Sequence, residues 1–262
     1  MSAARLRLLF IGNSHIGAPR LAYAADPLRW PDWEIDFLGM LGGNFARLDL
    51  VGGALVPTNE KLAAEMQYYN MVRRLEVGGY DAFAIVGGLG WTGMAALCAA
   101  HRSLGFPSVM AGATGVQLVG RQFLDAALRE RFRKSAAGRL RQRLDSLGKP
   151  VLILPEPMPS AECTAARARY AAYVDMVERG DAQFWRDWFR RCAEAELGRA
   201  AQVLFWPEAA AIAGAYTRPE LMRGAMRLTP HRDQPQPETD FAHGNAGYGA
   251  MMMDQIMAAL PR

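Results

Sequence analysis

A serine near the start of this 262-residue chain, and an aspartate and a histidine near its end, stand in settings where they could share acyl-transfer chemistry. The apolar run Leu8-Leu9-Phe10-Ile11 meets Gly12-Asn13-Ser14-His15. Gly12 lets the chain turn sharply off a strand and leaves Ser14 at the strand's exposed mouth. A serine there is a nucleophile if a base reaches it. The plain alternative is that Ser14 or Asn13 only caps the next helix. Far along the chain, Asp240-Phe241-Ala242-His243-Gly244-Asn245 precedes a helical pattern. An Asp and a His three apart on a turn can face each other. The carboxylate then fixes the imidazole tautomer, and the other ring nitrogen takes the serine proton. The plain alternative is a surface Asp beside a helix-capping His.

The elements that must position these groups alternate. Short apolar runs predict strands at 5–11, 81–86 and 151–154, with weaker candidates at 33–38, 47–51, 108–111 and 202–206. Helical spacing predicts helices at 59–76 (with Asn59 as N-cap), 92–104, 119–147, 162–178, 181–198 and 246–260. The segment 217–238 is rich in turns. Strand–helix alternation with apolar strands implies an α/β fold: a mostly parallel sheet covered on both faces. No repeat or linker divides the chain, so residues 1–262 are expected to form one domain, with 162–198 as a helical insertion or cap. Ligands of such sheets collect at the carboxyl ends of the strands. Four segments are expected there: Gly12–His15, either Gly42-Gly43-Asn44 or Gly52-Gly53, Gly87-Gly88-Leu89-Gly90, and Pro155-Glu156-Pro157.

Taken together, the two end segments resemble the SGNH (GDSL-like) hydrolase family. Leu8–His15 looks like its opening block, with Asn13 where the common form has Asp, and Asp240-x-x-His243 looks like its closing DxxH block. The resemblance implies a flavodoxin-like three-layer α/β/α sandwich and a triad of Ser14, His243 and Asp240. It implies a serine esterase or deacylase that works through an acyl-enzyme on a small ester, for example an O-acylated carbohydrate. It also implies three oxyanion donors: the Ser14 N–H, a glycine N–H after the second strand, and an Asn side chain in a GxND block. Gly43 fits the second role. The third is missing, because the strand ending at Val86 leads into Gly87-Gly88-Leu89-Gly90-Trp91. Asn44, or a backbone N–H at Gly88, is the substitute. These glycines can equally be turn residues. One lost donor typically costs ~10²–10³ in rate. An acyltransferase using the same triad, and a catalytically silent binding protein of the same fold, stay open as alternatives.

Composition narrows the partners. The chain is 51% hydrophobic and 21% charged with a net charge of +4, which excludes a disordered chain. The basic residues are spread along its length and give no nucleic-acid footprint. No apolar run approaches the ~20 residues of a membrane span, and 6–11 is too short for a signal-peptide core, so a cytoplasmic protein is expected. Cys98, Cys163 and Cys192 are odd in number and widely spaced, which suits buried thiols. His231, Asp233 and His243 are a conceivable metal set, but no compact ligand spacing supports them. No metal and no organic cofactor is expected. The basic face of 119–147 (Arg121, Arg129, Arg131, Arg133, Lys134, Arg139, Arg141, Arg143) reads as solvated, with an anionic partner as the alternative. Phe184-Trp185-Arg186-Asp187-Trp188-Phe189 is either a pocket wall or a helix packed on the sheet. His15 either lines the pocket or starts a helix at the surface, and His101 is expected inside a helix.

Overall fold

The computed structural model describes residues 5–198, 201–230 and 234–260. Five strands form one parallel sheet: β1 (Leu6–Gly12), β2 (Trp33–Gly39), β3 (Ala82–Val86), β4 (Val151–Leu154) and β5 (Gln202–Val203), in the spatial order 2-1-3-4-5. The order reverses between β1 and β3, where Gly12 pairs with Val86. A doubly wound sheet opens a ligand crevice outside the carboxyl ends of its strands at such a point. Ser14 lies two residues beyond that end of β1.

Alternation along each strand splits the apolar side chains between two layers. Leu9, Ile11, Phe83, Ile85 and Ile153 share a buried cluster with residues of α2 (Glu60–Asn70), α3 (Arg121–Lys134), α4 (Ala136–Leu144) and a later helix, Ala182–Leu197. Leu8, Phe10, Ala84, Val86 and Leu152 point the other way, onto α1 (Gly17–Ala25) and the last helix, Ala246–Ala259. The result is a three-layer α/β/α sandwich. In the helical pair α5 (Arg167–Glu178) and α6 (Ala182–Leu197), Trp185, Trp188 and Phe189 are buried in the first cluster, so those rings are core and not a pocket wall. The last helix is α7. Among the described residues, no helix is long and apolar enough to cross a membrane.

Several predicted elements differ from the fold, each for a local reason. The helix predicted at 119–147 breaks at Ser135, whose hydroxyl donates to Phe132 O (2.6 Å) and accepts from Gly138 N (3.0 Å). That side chain ends α3 and starts α4, and the four-residue apolar spacing runs through the break because both helices pack on one core. The helix predicted at 59–76 starts at its Asn59 cap and stops at Asn70, where Met71 turns into the left-handed region (φ 63°). The segment 92–104 holds two short helical pieces, Trp91–Ala95 and Leu97–Ala100. His101 then begins a two-residue strand instead of lying in a helix. The strand predicted at 108–111 is a helical turn, Pro107–Met110, with proline at the start where its missing N–H costs nothing. The strand at Leu48–Val51 pairs antiparallel with Ala54–Pro57 outside the main sheet, which takes Gly52-Gly53 away from the crevice and leaves Gly42-Gly43-Asn44 as the exit of β2.

The basic helical face is laced with ion pairs: Arg129 with Glu196, Arg133 and Lys134 with Glu130, Arg141 with Asp145, and Arg143 with Asp49. Cys98, Cys163 and Cys192 are buried free thiols.

Candidate active site

Two glycines build the turn off β1. A Cβ on Gly12 would run into the Val86 carbonyl, and one on Gly87 (φ 77°) would run into the Asn13 side chain, so β1 and β3 meet here at a spacing only glycine allows. Asn13 caps the 3-10 turn Ser14–Ile16 by accepting from His15 N at 3.1 Å. Asn13 therefore does the capping and Ser14 is left free to face outward.

At the other end, Asp240 shapes its own loop. Its Oδ1 accepts from the backbone N–H of Ala242 (2.8 Å) and of His243 (3.1 Å), which curls the chain until the imidazole lies on the carboxylate. His243 Nδ1 is 2.8 Å from Asp240 Oδ2 and 3.0 Å from Oδ1. Asn245 then caps α7 by accepting from Tyr248 N. α7 lies against α1 so closely that a Cβ on Gly249 would overlap the Ala18 carbonyl. α1 begins just after Ser14 and α7 just after His243. Their contact sets His243 Nε2 2.8 Å from Ser14 Oγ across 229 residues of sequence.

The electrostatics of this chain are directional. Burial opposes the charge on Asp240, but the His243 hydrogen bond and charge, with the two backbone N–H donors, outweigh it and hold the carboxyl at about 2. An ionised Asp240 accepts from Nδ1–H, which leaves Nε2 as the acceptor for the Ser14 hydroxyl proton. His15 is buried and its ring stacks on that of His243, with centroids 4.5 Å apart and planes 18° apart. Burial first, and the neighbouring His243 charge second, push His15 well below the usual histidine value against the pull of Asp240.

The expected oxyanion donors are placed as follows. The Ser14 N–H opens a 3-10 turn, a position with no intrahelical acceptor. Gly43 and Gly88 both lie against Ala136 at the start of α4. The Asn44 side-chain amide donates to Glu65 Oε2 (2.8 Å), and Leu41 N donates to Glu65 Oε1 (2.8 Å), so that amide is engaged in bracing the β2 exit loop. His231 and Asp233, of the conceivable metal set, lie outside the described residues. Among the described residues no group of three or more His, Cys, Asp and Glu side chains could hold a metal ion.

Glu156 is the group that sequence reasoning named only as part of a strand exit. It stands two residues beyond β4, its Oε1 3.4 Å from Asn13 Nδ2 and its Oε2 3.9 Å from His15 Nε2. Burial raises its carboxyl above the ordinary range, against the Asn13 hydrogen bond and the His243 charge. A carboxylate between Pro155 and Pro157 was the available signal, but nothing local says that it folds back over the exit of β1.

His15 and Glu156 give acid stability a testable form. A histidine kept neutral by burial binds its proton later than the unfolded chain does. Its stabilising contribution is present above ~6.5 and is lost as pH falls below that value. Glu156, shifted upward, acts with the opposite sign: its contribution is fully present below the unfolded carboxylate value and is lost as pH rises through the folded one. Urea unfolding at pH 7, 6 and 5 is expected to show wild type losing stability on acidification relative to His15→Leu. Equal slopes for the two proteins would mean that His15 is not held neutral in the fold.

Comparison of the chain with protein-family models and with curated proteins gave no match.

Proposed function

We propose that this chain is a serine esterase or deacylase of the SGNH type, acting through an acyl-enzyme on a small ester. The observation that carries the reading is the continuous hydrogen-bonded path from Ser14 Oγ through the His243 ring to Asp240, with both contacts at 2.8 Å. In this reading Ser14 Oγ attacks the ester carbonyl carbon while His243 Nε2 takes its proton. The C–O bond to the alcohol breaks, and the same proton passes from His243 to the departing oxygen. Water then repeats the sequence and releases the acid. Asp240, held ionised, stabilises the imidazolium formed in each half. The Ser14 N–H, with Gly43 as the second donor, faces the oxyanion of each tetrahedral intermediate. The likeness of Leu8–His15 and Asp240–His243 to the opening and closing blocks of the SGNH family, and the order of the sheet, support the same reading.

The test is a fluorophosphonate probe, which labels a serine only when a base activates it. Wild type is expected to be labelled and Ser14→Ala not, with both proteins unfolding at comparable temperatures. A folded wild type that takes no label would return the chain to the silent binding protein. Added acceptor sugars that collect acyl groups from an ester substrate of the unlabelled enzyme would make it a transferase.

A further inference from the structure

Glu156 lies beside the Ser14–His243 pair, and the proposed triad makes no use of it. Its side chain is 26% exposed at the crevice mouth. Asn13 Nδ2 reaches the carboxylate at 3.4 Å, whereas a carboxylate offers about four acceptor positions. The 3.9 Å separation of Oε2 from His15 Nε2 is too long for a hydrogen bond. Among the described residues no arginine or lysine pairs with Glu156, in a chain with 30 such residues, and the His15 ring that stands 3.9 Å away is held neutral. A half-open carboxylate without a cation, in a crevice of low dielectric, has acceptor capacity and negative charge to offer an incoming group.

The position says which part of a substrate would meet it. On the esterase reading, the departing oxygen must lie within reach of His243 Nε2, so the alcohol leaves along the side of that ring. His15 stacks on His243, and Glu156 borders His15. We infer that Glu156 selects the alcohol half of the substrate, by binding an electropositive group (hydroxyls or an ammonium) next to the ester oxygen. The inference rests on the proposed esterase activity. The carboxylate takes no proton from the reacting atoms and is a specificity residue.

The experiment compares the acetate esters of propanol, glycerol and choline on wild type, Glu156→Gln and Glu156→Leu. Wild type is expected to favour the glycerol or the choline ester over the propyl ester by about tenfold or more in kcat/KM, and Glu156→Leu to reduce that ratio by about tenfold. Glu156→Gln keeps an acceptor but no charge. It therefore retains the preference if hydroxyls are bound and loses it if a cation is bound. No preference in wild type, or a preference that survives in Glu156→Leu, overturns the inference. Fluorophosphonate labelling of Ser14 in each variant checks that the triad is still assembled. Should wild type hydrolyse none of the three esters and take no label, the esterase reading fails separately. NMR titration with glycerol and choline alone then decides the matter. Weaker binding by Glu156→Leu than by wild type supports a Glu156 subsite, and equal binding or none rejects it.

Discussion

His243→Ala is expected to lower turnover of p-nitrophenyl acetate by about 10⁴-fold or more while the protein stays folded. The size follows from the geometry. Nε2 is placed to accept the Ser14 proton at 2.8 Å, and among the described residues the base that reaches Ser14 Oγ is His243. Without it, Ser14 is an ordinary hydroxyl with a pKa far above neutral. The fold should survive because the loop is held by the Asp240 carboxylate on the backbone of Ala242 and His243 and by the Asn245 cap, none of which needs the imidazole. Asp240→Asn is expected to cost a comparable or smaller factor. An amide can donate to Nδ1 and so stabilise the wrong tautomer, but the ring is still present. Turnover measured beside thermal unfolding separates chemistry from collapse, and unchanged turnover in His243→Ala would remove that residue from the mechanism.

The largest expected stability effect lies away from the site. Asp181 is fully buried at the turn between α5 and α6, and Arg102 is 2% exposed. Asp181 accepts from Ser108 N (2.8 Å) and Ser108 Oγ (2.6 Å), while Arg102 donates to Ser108 Oγ (2.7 Å) and Cys98 O (3.0 Å) and stands 3.4 Å from the carboxylate. This network pins the segment after β3 onto the α5–α6 turn. Asp181→Ala leaves a buried guanidinium without its counter-charge and is expected to cost about 3–5 kcal/mol. Replacing Arg102 and Asp181 together by apolar residues of similar volume should recover much of that loss, because the desolvation of both charges is removed as well. Urea unfolding of the single and double variants checks both statements. A loss below about 1 kcal/mol in Asp181→Ala would mean that Arg102 escapes to water.

Much of the local structure was legible from a few neighbouring residues. The apolar runs of β1, β3 and β4, the Asn59 cap, and the turn at Gly12 each depend on periodicity, a side-chain oxygen or a missing Cβ acting over one to four residues. The same locality explains the errors. A four-residue apolar spacing continues through Ser135 because α3 and α4 bury the same face, and only the hydroxyl that bonds both helix ends marks the break. His15 could be read as surface or pocket, since burial is a property of what packs over a residue, and what packs over it is the ring of His243.

The sequence by itself determined most of the inventory: the three clear apolar strands and two of the weaker candidates, most of the helices between them, and a serine, a histidine and an aspartate in settings suited to proton transfer. Tertiary structure alone decided that the Ser14 and His243 segments meet. Strand order puts the exits of β1 and β3 side by side, and the close approach of Gly249 to Ala18 carries His243 onto Ser14. It also decided that a carboxylate from beyond β4 reaches Asn13, and that the Asn44 amide turns to Glu65. Contacts separated by 143 or 229 residues have no signature in local spacing, because they come from how whole layers pack.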